Sequence, residues 1–259
     1  MTKLVYIGGY GHSGSTLLAY LMTANPQVVV CGDVAGVRRA ETKLRKCSCG
    51  QLAQSCSVWG PVLGRGIGHA ELDLALLKHV SNAYRILVDS SKTAWMTAAM
   101  PFKLKRKMGR DFRLIHIIRD PRAVGWSIIK RSKRRDEGRD GTLLCIETAA
   151  GWLFANLACE LFRTLYPDQY RRVRYEDLVH EPAEVLPPLL PKTRPKGQWR
   201  FEDIGAGGNR HQLFGNRMRR KPLSTTDIKN DDAWRREMPN AQRKVVAALT
   251  WPLIRIYNY

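Results

Sequence analysis

The chain has 259 residues, 44% of them hydrophobic and 25% charged, values of an ordinary soluble globular protein with enough chain to bury a sizeable core in one domain. Forty-three lysines and arginines against 23 acidic residues leave a formal charge of +20, which points to anionic partners: nucleotides, nucleic acid, acidic glycans or a membrane surface. Six cysteines are too few for a disulfide scaffold.

In chain order, residues 3–8 read as a buried strand and 14–24 as a helix ending before Asn25-Pro26. Residues 27–33 form a second apolar strand ending at Gly32-Asp33, and a helix is predicted over 34–44. A Cys- and Gly-rich loop occupies 45–60 as an insertion in a single domain spanning 1–259. An amphipathic helix over 71–83, a strand and then a turn over 85–92 and a helix over 93–108 follow, with Pro101 a boundary or kink. The strand 112–120 leads into a helix with Pro121 in its first turn. A long helix covers 142–166, a strand 170–178, and a Pro-, Gly- and Arg/Lys-rich irregular stretch 182–222. A terminal helix over 231–257 is interrupted or ended near Pro252. Apolar strands alternating with helices predict an α/β fold, a P-loop-like parallel sheet with helices on both faces. With no charged-then-apolar leader and no apolar run approaching the ~20 residues that span a bilayer, a cytoplasmic location is expected.

Each chemistry-bearing motif falls just after a predicted strand, where ligands of parallel sheets bind. Gly9 to Thr16 fits the phosphate-loop pattern G-x-x-x-x-G-K-[ST] except that Ser15 replaces the lysine. Gly11 and Gly14 allow close backbone approach, and Ser15 and Thr16 add hydroxyl donors for an anion. Without the lysine a triphosphate loses its outer clamp, whereas a single 5′-phosphate does not need it. Arg119 ends a strand, and Ser127 lies about two helical turns further on, so that a guanidinium and a hydroxyl can grip one phosphate. The competing reading pairs Arg119 with Asp120. Cys47, Cys49 and Cys56 leave three options open: zinc thiolates with His69 as fourth ligand, a disulfide, or reduced buried thiols. The six histidines show no metal-ligand spacing, and His116 reads as core. Trp126, Trp152 and Trp234 read as packing, and Glu176 and Asp177 as partners of nearby arginines.

"GHSGST", "VDSSK", "RLIHIIRDPRAVGWS", "RYEDL" and "HQLFGNRMRR" follow the order seen in sulfotransferases that use 3′-phosphoadenosine 5′-phosphosulfate. The chain most resembles the broad bacterial group related to carbohydrate and tyrosyl-protein sulfotransferases, and "CSCGQLAQSCSVW" looks like a cysteine-bearing segment common there. The resemblance runs from the first loop to about Arg220. It implies that Gly11, His12, Ser13, Gly14, Ser15 and Thr16 hold the donor 5′-phosphate and that Arg119 and Ser127 hold the 3′-phosphate. Arg217 and Arg219 would close over that phosphate, and Tyr175 would lie near the adenine. His12 stands where the family usually has Arg or Lys, so it would help the leaving phosphate chiefly when protonated. Asp33 matches the position of a catalytic base, where Glu is usual; the competing reading makes it a helix N-cap. Lys92 matches a lysine aimed at the transferring group, and Ser90 and Ser91 are caps or donors to sulfuryl oxygens. His211 would face the acceptor or the 3′-phosphate. No metal is expected in the reaction. The acceptor would be a small molecule, glycan or lipid, with peripheral membrane contact possible and no nucleic acid, because its recognition signatures do not appear. Two rival classes are a small-molecule kinase on a similar core and a non-catalytic anion-binding module.

Overall fold

The computed structural model describes residues 2–39, 45–64, 68–192, 199–201, 204, 208–220, 228 and 230–259. Five strands, β1 (Lys3–Gly8), β2 (Val28–Gly32), β3 (Ile86–Asp89), β4 (Phe112–Ile118) and β5 (Tyr170–Arg174), form one sheet in the order β2-β3-β1-β4-β5. Every strand pair is parallel. Alternate side chains feed two cores, because successive residues of a strand point to opposite faces. Leu4, Tyr6, Val29, Leu87 and Leu114 face one core, with Leu76 and Leu104 from helices. Val5, Ile7, Val30, Val88 and Ile117 face the other, with Leu17, Leu18 and Leu178. The sheet is therefore covered on both faces, and its strands read as near-continuous apolar runs. The exposed Arg171 and Arg172 of β5 blunt that edge. At the opposite edge Arg210 forms an isolated parallel bridge with Val30.

The helices are α1 (Ser15–Leu21), α2 (His69–Val80), α3 (Met100–Met108), α4 (Pro121–Arg134), α5 (Gly141–Leu165), α6 (Tyr175–His180), α7 (Pro182–Leu189), α8 (Trp234–Glu237) and α9 (Asn240–Ile256). Several differ from the sequence reading. Residues 34–39 form a 3-10 helix, and 40–44 lie outside the described residues. Over 93–108 the α-helix starts only at Met100, with Pro101 in its first turn. The strand expected over 170–178 stops at Arg174, and Tyr175 begins α6. Within the stretch read as irregular, α7 buries Leu186 and Leu189; that burial outweighs the prolines, and Pro182 occupies the first turn, where no N–H is needed. The C-terminal helix is interrupted before Pro239, which holds Met238 extended, while Pro252 is carried inside α9.

One expectation about apolar length also fails. Helix α5 is long and apolar enough to cross a bilayer by length and composition, although half of its most apolar window is buried inside the fold. It packs along α4 and α9, burying Leu144, Ala149, Trp152, Ala155 and Phe162.

Candidate active site

Strand β1 lies between β3 on one side and β4 on the other, so the loop after β1 sits at the point where the strand order reverses. Gly9, at φ 115°, has no room for a side chain: a Cβ would lie 2.3 Å from the Ile117 carbonyl oxygen. Its N–H donates to Thr93 Oγ1 at 3.0 Å. Gly14, at φ 97°, precedes α1 in the left-handed region, and a Cβ there would lie 2.5 Å from the Tyr175 ring. The first N–H groups of a helix have no intrahelical acceptor, so this turn presents donors on its open side. Ser13 is buried, and its Oγ has no protein partner, as suits a hydroxyl that serves a ligand. Ser15 and Thr16 are buried at the start of α1.

Arg119 follows β4. Its guanidinium is stacked 4.1 Å over the Tyr175 ring and donates to the His12 carbonyl at 3.1 Å. The sequence alternative, pairing with Asp120, does not occur. Asp120 caps α4 through the Arg122 N–H and takes the Arg122 guanidinium at 2.7 Å. Arg119 instead donates to the Asp231 carbonyl at 3.1 Å and faces the Asp231 carboxylate at 3.5 Å. Its Nε is buried with no protein partner. Trp152, fully buried, donates its indole N–H to the Arg119 carbonyl at 3.1 Å, which fixes the strand end.

His12 joins the first loop to α4. Its Nδ1 lies 2.9 Å from Ser127 Oγ, and Arg131 approaches its Nε2 at 3.3 Å. Since Arg131 can only donate, Nε2 accepts and Nδ1–H donates to Ser127. Burial, then the charges of Arg131, Arg119, Lys92 and Arg134, lower the His12 pKa to about 4. The imidazole is therefore neutral at pH 7, and the protonated form that would best replace the family's basic residue is confined to low pH. Arg131 was missed because it lies in a basic run, yet it stands one helical turn after Ser127, a spacing that places both on one face.

Lys92 and Asp33 meet at the ends of β3 and β2. Their charged atoms lie 2.9 Å apart, and both side chains are mostly buried. Asp33 is not an N-cap. The N–H groups of Val34 and Ala35 go to Asp89 Oδ1 and Ser91 Oγ, which leaves the Asp33 carboxylate for Lys92. Ser91 is thus a cap. Lys92 adopts φ 70°, an uncommon region for a residue with a side chain. Its N–H donates to the Ile7 carbonyl at 3.0 Å, and its own carbonyl accepts from the Tyr6 hydroxyl. Those bonds hold the strained backbone and set the direction of the ammonium.

The late segment reaches the same loop. The Asn216 N–H lies 3.4 Å from Thr16 Oγ1, and Arg217–Arg220 form one 3-10 turn. The Arg217 side chain lies outside the described residues. Arg219 is buried and donates to the Leu213 carbonyl at 3.0 Å, so its guanidinium braces its own segment. His211, not His69, lies beside the cysteines. His69 Nε2 lies 2.9 Å from Asp89 and 3.4 Å from Asp73, away from the cysteines. His211 is buried with Nδ1 3.2 Å from Cys56 Sγ. Trp126, Trp152 and Trp234 are buried, as expected. His116 is core, bonded to Asn156 and the Tyr170 hydroxyl. Glu176 takes the Tyr259 hydroxyl at 2.7 Å and the Asp120 N–H at 3.4 Å rather than an arginine.

The structure is an α/β protein: a covered parallel sheet whose switch point carries a glycine-rich turn, with the cationic side chains of Arg119, Arg131 and Lys92 gathered about His12. The sulfotransferase family model matches residues 5–192, and the chain belongs to that family. It is 28% identical to carbohydrate sulfotransferase 5 of Mus musculus over 176 residues, covering 58% of this chain and 42% of the mouse protein. The chain thus spans less than half the length of that curated relative. Among solved structures it is similar to the sulfotransferase domain from the curacin biosynthetic pathway, with TM-score 0.56, 17% identity, and 95% and 96% of the two chains covered. It is also similar to the sulfotransferase domain from the Synechococcus PCC 7002 olefin synthase, with TM-score 0.52, 18% identity, and 100% and 95% covered. At these identities the two structures establish the fold.

Proposed function

We propose that the protein moves a sulfuryl group from 3′-phosphoadenosine 5′-phosphosulfate to an acceptor hydroxyl by in-line displacement. The observation that carries this reading is the pair of anion positions flanking one loop, with no lysine for a triphosphate. One is the turn from Gly11 to Thr16, where Ser13 Oγ lacks a protein partner. The other is the Arg119–Ser127 pair, tied to that turn through His12. In this reading the turn holds the 5′-phosphate, and Arg119 and Ser127 hold the 3′-phosphate. Tyr175 supports the Arg119 guanidinium from below. The family resemblance assigns Arg217 to the same phosphate, and Arg219 braces the segment that carries it.

The acceptor hydroxyl attacks sulfur, its proton passes to Asp33, and the 5′-phosphate oxygen leaves. Lys92, paired with Asp33 at 2.9 Å, neutralises charge developing on the bridging oxygen while Asp33 accepts the proton. His12 acts as a neutral positioning residue for Ser127. The donor carries no polyphosphate for a cation to bridge, so the transfer itself asks for no metal. The acceptor is a sugar, lipid or small-molecule hydroxyl. Reaction in the cytoplasm by this one domain, with contact at a membrane surface for a lipid acceptor, belongs to the same proposal.

The test is incubation with the sulfated donor and a panel of sugar, glycolipid and phenolic acceptors, reading release of 3′,5′-bisphosphoadenosine. Acceptor-dependent release without added magnesium is expected. Phosphate transfer from magnesium-ATP to the same acceptors, with no sulfuryl transfer, would replace this reading with a kinase.

A further inference from the structure

The Cys-rich loop and the late segment meet at four side chains that the proposed reaction does not use. Cys47, Cys49, Cys56 and His211 offer Sγ, Sγ, Sγ and a ring nitrogen, all within 4.8 Å of one another. Cys56 Sγ lies 3.8 Å from Cys49 Sγ, 3.8 Å from Cys47 Sγ and 3.2 Å from His211 Nδ1. A disulfide needs sulfurs about 2.05 Å apart, and all three cysteines are free thiols. Four ligands at tetrahedral angles around zinc, with Zn–S bonds of about 2.3 Å, place sulfurs about 3.8 Å apart.

The surroundings orient the imidazole toward the cysteines. His211 Nε2 lies 2.8 Å from the Gly208 carbonyl; a carbonyl accepts, so Nε2 carries the proton and Nδ1 presents its lone pair to the cysteines. Such an outer hydrogen bond fixes the tautomer of a ligating histidine. Around the cysteines the backbone is tightly turned, with the Cys47 N–H on the Gln51 carbonyl at 2.8 Å and the Gly50 N–H on the Cys47 carbonyl at 3.0 Å. Gly50 sits at φ 93°, a conformation glycine adopts without cost.

We infer that Cys47, Cys49, Cys56 and His211 form a structural zinc site that staples the 45–60 loop to the segment leading into the 3-10 turn at Arg217. Three sulfurs and one imidazole in tetrahedral array suit zinc. Four protein ligands leave no open position, so the ion is structural rather than catalytic. The staple joins chain stretches 155 positions apart, and two backbone links run beside it: the Ser48 N–H donates to the Gln212 carbonyl at 3.1 Å, and the Gln212 N–H to Ser48 Oγ at 2.8 Å. The site stands apart from the proposed sulfuryl transfer and holds or fails independently of it.

Metal analysis of the full chain, purified under reducing conditions without added metal, tests the inference. About one zinc per chain is expected, released stoichiometrically when an organomercurial titrates the thiols of the wild-type protein. Cys49→Ser, at the exposed member of the set, should lose the zinc and lower Tm by roughly 10 °C. Cobalt added to metal-stripped wild-type protein should give the absorption of a tetrahedral thiolate site. Failure to retain zinc and to bind cobalt with all thiols reduced, a Cys49–Cys56 disulfide in the mass spectrum, or undiminished zinc in Cys49→Ser would each overturn the inference.

Discussion

Replacing Arg119 by alanine separates a phosphate ligand from a loop brace. The side chain is only 6% exposed, stacks on Tyr175 and already donates to the carbonyls of His12 and Asp231. Losing the bond to His12 loosens the first loop and costs about 1 kcal/mol, or about fivefold in affinity, for any ligand held there. A 3′-phosphate adds contacts that only a 3′-phosphorylated ligand can make. Charge-assisted hydrogen bonds contribute about 1.5–3 kcal/mol each, and two of them, less than additive, give about 3–4 kcal/mol. Calorimetry with 3′,5′-bisphosphoadenosine and with AMP, on wild-type protein and Arg119→Ala, forms a cycle in which the brace cancels. The bisphosphate should weaken about 100- to 1,000-fold and AMP by no more than about tenfold. Equal losses for the two ligands would refute the assignment of Arg119 to the 3′-phosphate.

Lys92→Ala should slow transfer about a hundredfold or more with donor affinity little changed; steady-state and binding measurements together check this, and near-wild-type turnover removes Lys92 from the mechanism. Gly14→Ala combines a left-handed backbone at φ 97° with a Cβ 2.5 Å from Tyr175. The conformation costs about 1–2 kcal/mol and the overlap about 1–3 kcal/mol, so urea unfolding should show a loss of roughly 2–5 kcal/mol, and an unchanged midpoint would contradict the packing described. His12 should titrate near pH 4 by NMR in the ligand-free protein. Because its folded pKa is depressed, the unfolded chain takes the proton first, and stability present above pH 6.5 is lost as pH falls toward 4. Between pH 7 and 5 the wild type should lose about 2 kcal/mol more than His12→Asn, and an NMR midpoint near 6.5 would contradict the buried, neutral assignment.

The central strands were legible because their apolar runs are uninterrupted and end in residues with few other uses. "KLVYIGG" and "LIHIIRDP" announce both the strand and its turn, and the phosphate-loop pattern lies between them in space. Proline misled in both directions. Pro187 and Pro188 hid α7, whose formation depends on tertiary burial of Leu186 and Leu189. Pro252 drew attention from Pro239, where the chain does break. Asp33 looked like a cap until Asp89 and Ser91, more than fifty positions away, took the N–H groups it would have served. The fourth partner of the cysteines was similarly hidden. His69 is nearer in sequence, but β2 pairing draws the segment carrying His211 across the sheet edge. Local pattern carries strands and turns, whereas side chains that depend on distant neighbours require the fold.

The claim beneath the proposed chemistry is that the site is made for phosphates on both the 3′ and 5′ carbons of one ribose and lacks a grip for a triphosphate. Calorimetry on the purified full chain, with 3′,5′-bisphosphoadenosine in one titration and magnesium-ATP in another, tests it most directly. The account predicts saturable one-to-one binding of the bisphosphate, with magnesium-ATP weaker by about a hundredfold or more. Tight binding of magnesium-ATP with no heat from the bisphosphate would contradict it.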